Sequence, residues 1–129
     1  MAKVLIVDDE DPIAILMSFV LEKSGHTVST AKNGSEALRL LGVDPVDEAA
    51  DLPDVVVLDV MMPVMDGYTA AIAMRNCPRT SSLPILVVTA KGGMRIPFDG
   101  VPAVAAFFEK PFDPNEIRQA VARVTAPKG

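Results

Sequence analysis

Four short apolar runs punctuate the chain, Val4 to Val7, Val55 to Leu58, Ile85 to Val88 and Val104 to Phe108, and each stops on a polar or charged residue. Runs of this length without alternation fit strands buried on both faces, the habit of parallel sheets. Thr27 to Ala31 is also strand-like but more polar, as suits the edge of a sheet.

Helical patterns separate these runs. Pro12 suits the first position of a helix with Asp11 as its cap, and Ile13, Leu16, Met17, Val20 and Leu21 recur at helical spacing before Ser24-Gly25 ends the element. Asn33-Gly34-Ser35 predicts a short helix through Leu41. Gly42 to Pro53 holds acids and prolines without periodicity and reads as a solvated loop. Tyr68 to Asn76 predicts a third helix, stopped by Cys77 before Pro78, and Arg79 to Leu83 reads as loop. Asp113 and Pro114 then cap a last helix carrying Ile117, Ala120, Val121 and Val124. Strands alternating with helices imply an α/β fold, a five-stranded parallel sheet covered by helices on both faces, in one domain spanning 1–129.

The strand ends carry the chemistry. Parallel strands present their carboxyl ends together, so Asp8 and Asp9, Asp59, Thr89 and Lys110 should converge at one edge of the sheet, where ligands bind in such folds. Three carboxylates held close repel each other, and a hard divalent cation with oxygen ligands, Mg²⁺, is the natural remedy. With Lys110 as a fixed ammonium and Thr89 as a hydroxyl, the set supplies what in-line phosphoryl transfer needs. Asp59 stands alone after the central strand and is the candidate nucleophile, whereas the Asp8-Asp9 pair is better suited to hold metal.

Charge and composition narrow the partners. A net charge of -5 and a pI near 4.7, with no basic patch, argue against direct binding to nucleic acid or an anionic membrane. One cysteine, Cys77, rules out an internal disulfide framework, and neither a signal-peptide core nor a membrane-length apolar run is present, so a cytoplasmic protein is expected. His26 follows a helix-ending glycine without a second histidine and reads as a turn residue.

Four segments in order, V-L-I-V-D-D-E-D-P, V-V-V-L-D-V-M-M-P-V-M-D-G-Y, I-L-V-V-T-A and F-F-E-K-P-F, closely resemble the receiver domain of bacterial two-component response regulators. The likeness covers nearly the whole chain and fits the stand-alone, chemotaxis-type form. It implies a flavodoxin-like, doubly wound sheet in the order 2-1-3-4-5 and a cis bond at Lys110-Pro111. It further implies that Asp59 is the phosphoacceptor and that Asp9, Asp59 and the main-chain carbonyl of Met61 bind Mg²⁺ directly, with Asp8 acting through water. Thr89 and Lys110 would contact the phosphoryl group, and Phe107 would be the aromatic that swings inward as Thr89 moves. The implied protein is a signalling phosphoacceptor that assists its own phosphorylation and dephosphorylation, not an enzyme with a separate substrate. Its phosphodonor would be a sensor histidine kinase or a histidine phosphotransfer protein, and its output would be binding to another protein or passing the phosphoryl group on in a phosphorelay, with the chain a monomer or weak homodimer.

Two departures from the family pattern stand out. Val64 replaces the usual glycine of the loop after the phosphoacceptor, which should stiffen the loop without touching a ligand. Lys91 to Pro102, K-G-G-M-R-I-P-F-D-G-V-P, lies where the family has its fourth helix. In a helix interior glycine costs about 1 kcal/mol and proline about 3, so that helix is expected to be missing or irregular and the connection mobile.

Competing classes meet specific obstacles. A haloacid-dehalogenase-like phosphatase would need a second aspartate where Met61 stands, and a flavodoxin-like cofactor binder would need a phosphate-cradling loop where Asp8 to Asp11 stand. A pseudo-receiver that binds partners without phosphorylation remains the alternative, favoured only by the altered fourth-helix region.

Overall fold

The structure, a computed structural model, describes residues 2–90, 98 and 100–126. In chain order the elements are β1 (Lys3–Val7), α1 (Asp11–Lys23), β2 (Thr27–Ala31), α2 (Gly34–Leu40), β3 (Val55–Asp59), α3 (Gly67–Arg75), β4 (Ile85–Thr89), β5 (Val104–Glu109) and α4 (Pro114–Val124). All strand pairs are parallel, in the order β2-β1-β3-β4-β5, the flavodoxin-like arrangement expected.

Strand alternation divides the core into two layers. Leu5, Val7, Val56, Leu58, Ile85 and Val87 point to the face covered by α2 and α3, while Val4, Ile6, Val55, Val57, Leu86 and Val88 point to the face covered by α1 and α4. The three central strands are therefore apolar at every position except one end of each, Lys3, Asp59 and Thr89, which is why they read as unbroken runs. β2 lies at the edge, where only Ala31 is fully buried.

α1 buries a narrower stripe than its periodicity suggests. Ala14, Met17 and Leu21 face the sheet, whereas Leu16 is exposed together with Ile15 and Phe19. Burying a Met or Leu side chain contributes about 1.5–3 kcal/mol, so Met17 and Leu21 fix the helix rotation and leave Leu16 outside. The cap also differs from expectation: Glu10, not Asp11, occupies the N-cap position, and its side chain makes no capping bond. The other caps are side-chain bonds: Asn33 accepts from the Glu36 N–H, Asp66 from the Thr69 N–H and Asp113 from the Asn115 N–H.

The connection from α2 to β3 is anchored rather than merely solvated. Arg79 donates from Nη1 to the carbonyls of Leu41 and Asp47 at 3.4 and 2.9 Å, and from Nη2 to that of Ala50. One guanidinium thus holds carbonyls at the start and in the middle of the loop, in the fixed fork geometry that arginine supplies.

The described residues contain four α-helices, none of them between β4 and β5, where Phe98 and Gly100 have 3-10 conformation. The expectation of an irregular, mobile connection from Lys91 to Pro102 falls largely on residues 91–97 and 99, which lie outside the described residues. Phe98 and Val101, which carried no packing pattern in the sequence, are buried in the α2 and α3 layer. Phe98 meets the rings of Tyr68 and Phe107 edge-on, with centroids 5.4 and 5.9 Å away, and Arg75 Nη1 donates to the Gly100 carbonyl at 2.8 Å.

Candidate functional site

Strand register brings the predicted residues to one edge. Val7 pairs with Leu58, Asp59 with Val88 and Thr89 with Glu109, so Asp8, Asp59, Thr89 and Lys110 all stand at the carboxyl ends of β1, β3, β4 and β5. The main chain ties these ends together. Asp8 N–H donates to the Ala31 carbonyl at 3.0 Å, Val60 N–H to Val88 at 3.1 Å and Lys110 N–H to Thr89 at 2.7 Å. The peptide bond from Lys110 to Pro111 is cis.

Asp59, Asp8 and Thr89 are buried, each 2% exposed, while Asp9 lies on the surface. Lys110 is the cation that faces them: its Nζ is 3.4 Å from Asp59 Oδ2, 3.8 Å from Asp8 Oδ2 and 3.2 Å from Glu10 Oε1. Asp8 Oδ1 accepts the Glu10 N–H at 2.8 Å, but its buried Oδ2 has no hydrogen-bond partner among the described residues. A buried carboxylate oxygen left in this way is costly, and the 3.8 Å approach of Lys110 is too long to relieve it by hydrogen bonding.

Electrostatics follow from this crowding. Burial, reinforced by the Asp8 charge, pushes the Asp59 carboxyl up to about 6 despite Lys110. Burial likewise raises Asp8 above the usual carboxylate range, against the opposing pull of the Glu10 amide and Lys110. Burial alone would lower the Lys110 ammonium, but Asp59, Asp8 and Glu10 outweigh it and raise its pKa. Among the described residues, the site therefore holds more negative charge than Lys110 can satisfy.

A hard cation fits this deficit. One carboxylate oxygen from each of Asp8, Asp9 and Glu10 lies within 4.8 Å of the others, and the unpartnered Asp8 Oδ2 is a ready ligand or acceptor for metal-bound water. Glu10 was not foreseen as part of the site. Its signal lay in the acidic run itself, which exceeds what a helix cap requires. Met61 sits just beyond β3 with its side chain exposed, and Phe107 is partly buried against the α2 and α3 layer. His26, the expected turn residue, accepts the Ala2 N–H at Nδ1, and its pKa is lowered by burial and then by the N-terminal charge.

The loop between Asp59 and α3 is held tightly. Gly67 N–H donates to the Val60 carbonyl at 2.9 Å, and a Cβ on Gly67 would fall 2.2 Å from the Asp59 carbonyl oxygen. Val64, at the loop's tip, has a φ of 69° and is 84% exposed. The left-handed conformation explains why a glycine is usual there and makes Val64 a strained residue, more than the mild stiffening expected.

Comparison with known proteins agrees with this geometry. Residues 4–122 match the family model described as response regulator receiver domain. The chain is 36% identical over 126 residues to the alkaline phosphatase synthesis transcriptional regulatory protein PhoP of Bacillus subtilis, covering 95% of this chain and 48% of that one. It is 36% identical over 113 residues to response regulator PleD of Caulobacter vibrioides, covering 87% of this chain and 23% of PleD. It thus spans about half the length of PhoP and about a quarter of PleD. Among solved structures, the chemotaxis response regulator CheY4 of Vibrio cholerae superposes with a TM-score of 0.82 at 31% identity, covering 96% of this chain and 98% of CheY4. The Francisella response regulator 1452 receiver domain gives 0.81 at 26% identity, covering 97% of each chain.

Proposed function

Since this chain belongs to the response regulator receiver domain family, we propose that it is a phosphorylation-controlled switch in which the Asp59 carboxylate accepts a phosphoryl group. The observation that carries this reading is the placement of Lys110 Nζ 3.4 Å from the buried Asp59 Oδ2 at the edge where all the strands end. Receiver domains interact with histidine kinases or histidine phosphotransfer proteins, and a phosphohistidine of one of these is the donor we assign. The output passes to another protein or back into a phosphorelay, and the switch works in the cytoplasm, with residues 1–129 forming one receiver domain.

Transfer joins an Asp59 oxygen to phosphorus as the bond from phosphorus to the donor breaks, and the leaving group departs with the electron pair. No proton need move on Asp59, which attacks as its anion. Burial keeps that anion poorly solvated, and Lys110 stands ready to take the charge that builds on the phosphoryl oxygens. Thr89 offers its hydroxyl from the adjacent strand end, and movement of Thr89 toward the phosphoryl group would carry Phe107, two strand ends being bonded through Lys110 N–H. Asp8, Asp9, Asp59 and the Met61 carbonyl are the residues that would hold Mg²⁺. When bound, such an ion supplies the positive charge that the crowded carboxylates and incoming phosphoryl oxygens both need.

Intact mass after incubation with Mg²⁺ and acetyl phosphate tests the reading. One phosphoryl increment should appear on the wild type and vanish in Asp59→Asn, which keeps the shape and removes the attacking charge. Undiminished labelling of Asp59→Asn would refute the assignment, and a wild type that takes no label would favour a pseudo-receiver.

A further inference from the structure

The shortest contact of the Lys110 ammonium is not with the proposed phosphoacceptor. Nζ lies 3.2 Å from Glu10 Oε1, closer than to Asp59 or Asp8. Glu10 is fixed at its backbone, since its N–H donates to Asp8 Oδ1 and its carbonyl accepts from Ile13 and Ala14 at the head of α1. Its side chain makes no capping bond and so is available to Lys110.

We propose that Glu10 is a positioning residue that holds Lys110 toward the mouth of the site and competes with an arriving phosphoryl group for the ammonium. This inference rests on Asp59 being the phosphoacceptor. An ammonium has three donors, and here three carboxylates face it. The three are not equal. Asp8 Oδ2 is fully buried with no other partner, so the ammonium leaves it only at high cost. Asp59 loses its negative charge when it becomes an acyl phosphate, and its share of Lys110 passes to the new phosphoryl oxygens. Glu10, like Asp8, keeps its charge through the reaction, but its side chain is 54% exposed against 0% for Asp8, so water can replace the lysine there at little cost. Glu10 therefore sets how readily Lys110 turns inward to the donor, and it should act on donor capture more than on the transfer step.

Initial rates of phosphorylation by acetyl phosphate in saturating Mg²⁺, followed by intact mass, test this with two variants. Glu10→Gln removes the competing charge, and Glu10→Asp keeps the charge but withdraws it by one methylene from Nζ. Both should lower KM for acetyl phosphate by about two- to fivefold, the scale of a partly exposed ion pair, with the effect on KM larger than that on kcat. A KM that falls in Glu10→Gln but not in Glu10→Asp would mean that Glu10 merely repels an anionic donor, and would overturn the proposal. Unchanged KM in both, or a loss confined to kcat, would also overturn it while leaving Asp59 as phosphoacceptor. A wild type that takes no phosphoryl group would overturn the underlying reading, and this inference with it. Urea unfolding of both variants should match the wild type, which separates the effect on KM from any loss of structure.

Discussion

The Lys110 ammonium stands 3.4 Å from Asp59 Oδ2 across 51 positions of the sequence, and the two residues hold each other in states that neither would keep alone. Asp59 is buried and pushed up to about 6, yet remains ionisable near neutrality because Lys110 opposes the burial. Lys110 in turn keeps its charge in a partly buried place because Asp59 and Asp8 face it. A carboxylate and a cation arranged in this way are poised to exchange partners when a phosphoryl group arrives.

The first prediction concerns pH in the absence of metal. The folded protein keeps the Asp59 proton to about 6, whereas the ordinary value is 3.8. Between these values the folded state binds more protons than the unfolded state, so this residue's contribution to stability is greatest below the window and is lost as pH rises through it. At about 1.4 kcal/mol per pH unit the loss is on the order of a few kcal/mol. Urea unfolding in chelator should show Asp59→Asn gaining stability relative to wild type from about pH 4 to about pH 6, with Asp8 adding a slope of the same sign to both proteins. A constant difference between the two proteins would show that the burial of Asp59 is not felt as charge.

Metal should relieve the same repulsion. Mg²⁺ at a hundredfold excess over its Kd should raise stability by about 2.7 kcal/mol through binding only the folded state. Asp9 is exposed, so Asp9→Ala should fold, yet it should lose this gain because Asp8 and Asp59 cannot alone satisfy near-octahedral oxygen ligation. Thermal scans with Mg²⁺ and with chelator decide the point, and an equal rise in Asp9→Ala would remove that residue from the metal site.

Val64 offers a test at some distance from the charges. A β-branched residue at a φ of 69° is strained by about 1–2 kcal/mol, and at 84% exposure it has little packing to lose. Val64→Gly should therefore stabilise the protein by on the order of 1 kcal/mol, part of the relief being offset by the greater freedom of glycine when unfolded. Equilibrium urea unfolding measures this directly. A destabilised variant would show that the valine side chain makes contacts worth more than its strain.

What was readable in the sequence, and what was not, divides along physical lines. Central strands buried on both faces are apolar without interruption, so the ends of β1, β3 and β4, with Asp8, Asp59 and Thr89 just at or beyond them, could be placed closely. Leu16 could not, because α1 carries apolar residues around much of its circumference and only docking decides which stripe faces the sheet. The Arg79 clamp and the Glu10 to Lys110 pair span 29 or more positions and 100 positions respectively, and no local pattern announces contacts of that range. The strain at Val64 is likewise a property of the backbone, visible beforehand only as a valine where glycine is usual.

Gly67 links the phosphoacceptor to the helix that follows it. A Cβ at this position would lie 2.2 Å from the Asp59 carbonyl oxygen and 3.0 Å from the Val60 Cα, both backbone atoms that cannot turn aside as a side chain can. The close approach lets the Gly67 N–H reach the Val60 carbonyl at 2.9 Å and sets the first turn of α3 directly against the end of β3. Gly67→Ala must therefore push the strand end and the helix apart, at a cost of about 1–3 kcal/mol typical of overpacking. Because Asp59 moves with its own backbone, its distance to Lys110 should change too, and the rate of phosphorylation by acetyl phosphate should fall along with stability. Urea unfolding and intact-mass kinetics on the same variant separate the two effects. A variant that loses stability but keeps its rate would show that α3 can yield while the phosphoacceptor stays in place, so the close packing would then serve the helix alone.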